Sequence, residues 1–208
     1  MECESNFNSP RARYRSGVRI RYWSPLSCLV AILGVLGYFA YQELTVVTDS
    51  ISLQTVIPAK RSDVFRMLLN PEFVQKFNPL CVSFSNITRS QEQDGPKTFQ
   101  FIMQEKISFL LITFQVNVTV IQENAEIQNR INPMGGIIQI RQTWKMTDSE
   151  SNGSEDETLL EDHVKFTTRC LLARFAKWTA LGAHTNMLEH IRQHFIETSK
   201  KHNDDTSA

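Results

Sequence analysis

Four of the five histidines, His163, His184, His190 and His194, together with Glu105, are the residues whose types and spacing could support acid–base or metal chemistry. His163 precedes Val164 in an alternating stretch and so belongs to the opposite, wet face. Glu105 follows Phe101 and Met103 on the inward parity but sits at a strand end, where a solvated carboxylate is ordinary. His190 and His194 stand four apart and could hold a metal, yet Glu189, Arg192 and Gln193 make a solvated helix face the better account. His184, in GAHTNM, lies near the apolar stripe of the last helix and could reach a cavity mouth. The sequence places no carboxylate or nucleophile beside it, so no catalytic residue is assigned and His184 is the single candidate. Glycine-rich phosphate loops, zinc spacings and a Ser-His-Asp order are all missing, and neither metal nor cofactor is expected.

These groups belong to a chain of 208 residues with 41% hydrophobic content, enough for one folded domain with appendages. Its 22 basic and 22 acidic residues cancel, so no global field favours nucleic acid. Cys3, Cys28, Cys81 and Cys170 form no close pairs. Cys81 and Cys170 would share the folded domain, either as buried thiols or as a disulfide.

One charge cluster stands out: Arg11, Arg13, Arg15, Arg19 and Arg21. Directly after it, YWSPLSCLVAILGVLGYFAYQ runs for 21 residues without a charge, the length of a bilayer-spanning helix. Tyr22 and Trp23 at one margin and Tyr38, Phe39 and Tyr41 at the other suit the two headgroup regions. A buried core helix would show a polar face, and a signal peptide would be shorter with a small-residue cleavage site. Residues 22–42 are therefore expected to be a retained anchor. Basic residues stay cytosolic, so the N-terminus should be cytosolic and the C-terminal mass lumenal or extracellular. A mitochondrial membrane is the alternative, opposed by Glu2 and Glu4. Asn86, Asn117 and Asn152 begin glycosylation sequons. Asn152, in the polar loop DSESNGSEDE, and Asn86 are the candidates, whereas Asn117 falls inside a strand.

The rest of the chain supplies the elements that position these groups. SISLQTVI (50–57) alternates and stops at Pro58. Ser62 is expected to cap a helix bearing Val64, Phe65, Leu68 and Leu69, and Asn70 a second one opened by Pro71. Six strands should follow, at 81–88, 98–107, 112–123, 126–132, 137–147 and 158–168, joined by short turns as an antiparallel meander. Phe99, Phe101 and Met103, then Phe114, Val116 and Val118, then Ile138, Ile140, Trp144 and Met146, then Val164, Phe166 and Thr168, share one apolar face. A long final helix carries Leu172, Ala176, Ala180, Ala183, Met187, Ile191 and Phe195 in a stripe, widened by Phe175, Trp178, Leu181 and Leu188. Such a stripe must cover the apolar sheet face. The expected divisions are a basic tail (1–21), the span (22–42), a linker (43–49), one α+β domain (50–198) and a disordered tail (199–208).

The segment IPAKRSDVFRMLLNPEFVQKFNP (57–79) resembles the opening of the SRPBCC superfamily, which includes START lipid-transfer domains, polyketide cyclase/dehydrase-like proteins and Bet v 1 allergens. The shared pattern is a strand, a proline-small-residue step, a Val-Phe helix and a segment ending in an aromatic before Asn-Pro. Over about residues 50–197 the resemblance implies a helix-grip fold, a seven-stranded antiparallel sheet curled around the C-terminal helix with two short helices after the first strand. It also implies a cavity between sheet and helix for a lipid or other hydrophobic molecule. The inward residues agree, being apolar with few ionisable groups. Phe84, Phe101, Met103, Phe114, Val116, Ile140, Trp144, Phe166, Ala183 and Met187 are the expected ligand-binding set. The expected function is a membrane-anchored binder of a sterol, acyl lipid or isoprenoid. Its rivals are a cyclase- or hydrolase-like enzyme in the same cavity and a filled-core scaffold module.

Overall fold

The computed structural model describes residues 25–90, 96–149 and 157–206. Its elements run α1 (Pro25–Leu44), β1 (Val46–Ile57), α2 (Arg61–Leu68), α3 (Pro71–Phe77), β2 (Cys81–Ser90), β3 (Thr98–Ile107), β4 (Leu110–Gln122), β5 (Glu126–Ile131), β6 (Gln139–Asp148), β7 (Thr158–Arg169) and α4 (Cys170–Thr206). The chain divides into two compact units, Met1–Tyr38 and Phe39–Ala208. Within α1, residues Ser27–Leu44 are long and apolar enough to cross a membrane, and none of that stretch is buried in protein. Expected features at 1–24, among them the arginine cluster and the first residues of the span, lie outside the described residues, as does Asn152.

All seven strands pair antiparallel in the order β1-β7-β6-β5-β4-β3-β2. Alternation decides which face is inside: β7 reads buried at Thr158, Leu160, Asp162, Val164, Phe166 and Thr168, with more exposed residues between them. Asn70 caps α3 as expected, its side chain accepting from Glu72 N at 3.1 Å with Pro71 at the first helical position. The expected cap at Ser62 is not made. Lys60 is the residue before α2, without a side-chain cap bond, because the helix already begins at Arg61. The 43–49 stretch is not a linker. α1 reaches Leu44 and β1 starts at Val46, whose partner is Arg169, since Val46 and Val47 extend the β-branched run. The last helix likewise continues to Thr206 rather than stopping near 198.

The interior is solid at one end and hollow at the other. Val64, Phe65, Met67 and Leu68 of α2 and Phe77 of α3 join Met187, Leu188 and Ile191 of α4 and the sheet residues in one buried cluster. Nearer its start, α4 offers the sheet Ala176, Thr179, Ala180 and Ala183, side chains too short to fill the space, and a cavity of about 220 Å³ remains there. A single water needs roughly 10–15 Å³ on that measure.

Candidate functional site

The cavity wall is built from the inward positions of β3 to β7, the first half of α4, and Leu68, Pro71, Val74, Asn78 and Leu80 of α2, α3 and the segment that follows. Most of it is apolar, but a chain of polar side chains crosses its floor. Asp162 on β7 is 0% exposed, and each of its oxygens is engaged. Oδ2 accepts from His184 Nδ1 at 2.6 Å, and Oδ1 accepts from Gln142 Nε2 at 3.0 Å. Gln142 Oε1 in turn accepts from Asn129 Nδ2 at 2.9 Å. Strand register assembles this chain, because Asn129 lies opposite Gln142, and Trp144, two residues further along β6 on the same face, lies opposite Asp162.

Donor and acceptor roles follow from Asp162. A carboxylate only accepts, so Gln142 presents its amide nitrogen to it and its oxygen to Asn129, and His184 carries a hydrogen on Nδ1. The 3.4 Å approach of Gln142 Nε2 to His184 Nδ1 then joins two donors and is proximity, not a bond. His184 Nε2, on the ring edge away from Asp162, takes part in no hydrogen bond among the described residues. The side chain of His184 is 20% exposed and lines the cavity, with Asp162 behind it. Asn129 Oδ1 and Trp144 Nε1 are buried without a partner among the described residues.

A second carboxyl, Glu105, lines the same cavity. Burial pushes it above the usual carboxylate range, offset in part by the hydrogen bond from Asn78 Nδ2 to Oε1 at 2.9 Å and by the field of His184. Glu105 is therefore not the solvated strand-end carboxylate that its position suggests. Burial first, and the Glu105 charge second, push the nearby Cys81 thiol up to about 11. Cys28, Cys81 and Cys170 are all free thiols. No group of three or more potential metal ligands occurs among the described residues.

No protein-family model matches the chain, and no curated protein matches its sequence. Solved structures do match. The Zhui aromatase/cyclase from a Streptomyces species superposes with a TM-score of 0.57 at 10% identity, covering 72% of this chain and 94% of the other. A START superfamily protein from Mycobacterium smegmatis gives 0.55 at 16% identity, covering 70% and 97%. A norcoclaurine synthase from Thalictrum flavum gives 0.54 at 9% identity, covering 75% and 99%. The fold is the helix-grip fold of the SRPBCC proteins. At such identities the likeness is one of fold, and function has to be argued from the site.

Of the ten residues expected at the helix-grip cavity, Phe101, Met103, Phe114, Val116, Ile140, Trp144, Phe166, Ala183 and Met187 line it. Phe84 does not, since its ring packs edge-on against Phe101 from the neighbouring strand, 6.5 Å between centroids. His184 faces the cavity, and the carboxylate that the sequence did not place beside it is Asp162. His163 stands on the outer face with Ser52 Oγ at 2.9 Å. His190 is exposed, as a solvated helix face requires. His194 is not, because its ring packs among Phe73, Phe77 and Phe195, and burial followed by Lys76 lowers its pKa. Trp178 was expected to widen the inward stripe of α4 but is 75% exposed, because it falls half a turn from Ala176 and Ala180. Asn86 is exposed in β2 with a φ of 53°, at an irregularity in the pairing with β3.

Proposed function

We propose that this protein is a single-pass, membrane-anchored binder that holds one hydrophobic molecule in its helix-grip cavity and exchanges it with the adjoining bilayer. The observation that carries the reading is a hollow, mainly apolar cavity between the sheet and the first half of α4. Strand register shows which segments share the end of the domain at which β1 begins. Val46 pairs with Arg169, Gln139 with Thr167, and Ile131 with both Ile140 and Val116, so the start of β1, the start of α4 and the β5–β6 loop share one end. The β3–β4 hairpin, closing at Ile107 and Leu110, reaches roughly 20 Å past Val116 toward the same side. Cys170 N donates to Thr45 O at 2.9 Å, so the first turn of α4 is bonded to the residue that follows α1.

That end of the domain has an exposed apolar rim: Phe109 (86%), Leu111, Met134, Ile137, Leu171 and Phe175. Exposed apolar side chains grouped in this way are suited to contact with lipid. Burial of a ligand against the inward Phe and Val residues would supply about 25 cal/mol per Å². The arginine cluster before the span supports a cytosolic N-terminus, with the domain lumenal or extracellular and glycosylated at Asn152 or Asn86. The presence of a cavity speaks against a filled-core scaffold.

Mass spectrometry of full-length protein extracted in detergent tests the reading. Co-purifying lipid together with saturable uptake of a fluorescent lipid is expected, and protein that is empty and takes up nothing would refute it. A second reading, an enzyme of cyclase or hydrolase type, is favoured by one observation, His184 on the cavity wall hydrogen-bonded to the buried Asp162 behind it. Turnover of a hydrophobic substrate that disappears in His184→Ala would support it.

A further inference from the structure

The polar floor of the cavity narrows the class of ligand. Neither Lys nor Arg lines the cavity among the described residues, whereas Glu105 lines it and Asp162 lies directly behind His184. An anionic head group would meet carboxyls and no cation. A cationic one would find both Asp162 oxygens already engaged and fully buried, and Glu105 with Oε1 held by Asn78 in surroundings where burial disfavours its charge. Asn129 Oδ1, Trp144 Nε1 and Thr179 Oγ1, on residues that also line the cavity, have no partner among the described residues but are themselves buried, whereas the part-exposed His184 offers a ligand the ring edge bearing Nε2. Because Nδ1 is committed to donating to Asp162, Nε2 presents a lone pair whenever the ring holds a single proton.

Building on the hydrophobe-binding reading, we infer that the cavity selects an uncharged ligand bearing a hydroxyl, an alcohol or phenol, whose O–H donates to His184 Nε2. Asp162 is the positioning residue that sets the tautomer. The rest of the polar chain makes that role testable without damaging the fold. In Asp162→Asn, Gln142 Nε2 still needs an acceptor, so the new amide oxygen faces Gln142 and its NH2 faces His184 Nδ1. The imidazole must then accept at Nδ1 and carry its hydrogen on Nε2. Every hydrogen bond survives while the atom facing the cavity changes from acceptor to donor. A ketone, which only accepts, should gain at that position what it lacks in the wild type.

The test is calorimetric titration of full-length protein in detergent, against protein-free micelles, with decane, decanol, decanone, decanoate and decylamine. Decanol is expected to bind about tenfold more tightly than decanone, the size of one hydrogen bond left unmade. In Asp162→Asn that ratio should fall to about one while decane affinity is unchanged. The inference is overturned if wild type binds decanone as well as decanol, if decanoate or decylamine binds more tightly than decanol, or if the ratio survives in a folded Asp162→Asn. If that variant does not fold, the wild-type ranking decides alone. Decane separates the two levels of the argument. Failure to bind any probe, decane included, removes the binding reading itself, whereas decane binding without discrimination among the head groups removes only the hydroxyl inference.

Discussion

Glu105 is held where charge is disfavoured, and this gives it a definite pH signature. Its carboxyl keeps a proton to higher pH in the folded chain than in the unfolded one, where the ordinary value is 4.5. Above that value the native state binds more protons than the unfolded state, so stability falls as pH rises through the raised native pKa and is fully present below 4.5. Glu105→Gln keeps an acceptor for Asn78 and removes the titration. Thermal unfolding followed from pH 4.5 upward should show a flatter decline for the variant than for wild type, and parallel curves would mean that Glu105 is solvated. Cys81 reports on the same neighbourhood. With its thiol at about 11 against an ordinary 9.0, the thiolate fraction in mildly alkaline buffer is about a hundredfold below that of a free cysteine. Iodoacetamide labelling should be correspondingly slow in the folded protein, and faster in Glu105→Gln, where the second cause of the shift is gone. At this scale the sequence was partly legible. Alternation already put Asp162 on the parity of Val164 and Phe166, and Gln142 between Ile140 and Trp144. What hid them was the assumption that polar residues in these strands face water. That their side chains join His184, remote in sequence, depends on how α4 lies over β6 and β7, and no local pattern encodes that.

Elements show why a cavity exists at all. A helix covering a sheet normally fills the groove with Leu or Ile, as α4 does at Leu188 and Ile191, but earlier along the same helix it presents Ala176, Ala180 and Ala183 to the cavity that large inward Phe side chains also line. Ala183→Leu should therefore abolish uptake of a fluorescent lipid while leaving thermal stability unchanged or raised by about 0.5–2 kcal/mol, the usual gain from filling a void. Loss of stability instead would show that the space is already packed. The cap of α3 is equally specific, and Asn70→Ala should cost about 1 kcal/mol in denaturant unfolding. Strands were the best-read part of the chain, because period-two alternation broken by turn residues is local information; 98–107 was placed to the residue. Boundaries failed where burial or pairing overrode a local signal, at Ser62 and at Val46, which pairs with the distant Arg169.

At the scale of the whole molecule, the decisive relation lies within the helix-grip domain. The sequence showed an apolar helix, and a family resemblance implied an apolar cavity; that Thr45, the start of α4 and the β3–β4 hairpin share one end of the domain follows only from the seven-strand register and the bond between Thr45 and Cys170. If the rim docks on lipid, ligand crosses from bilayer to cavity without passing through water, and the exchange rate depends on Phe109 and Leu111 although neither lines the cavity. Both are exposed at the β3–β4 hairpin, so replacing them leaves core packing untouched. Phe109→Ser with Leu111→Ser, in full-length protein reconstituted into nanodiscs, should slow transfer of a fluorescent lipid from donor vesicles severalfold. Equilibrium occupancy and thermal midpoint should not move, because the bound state and the fold keep all their contacts. An unchanged rate would mean that ligand enters elsewhere. A parallel fall in rate and occupancy would make the hairpin part of the binding surface, not an entrance to it.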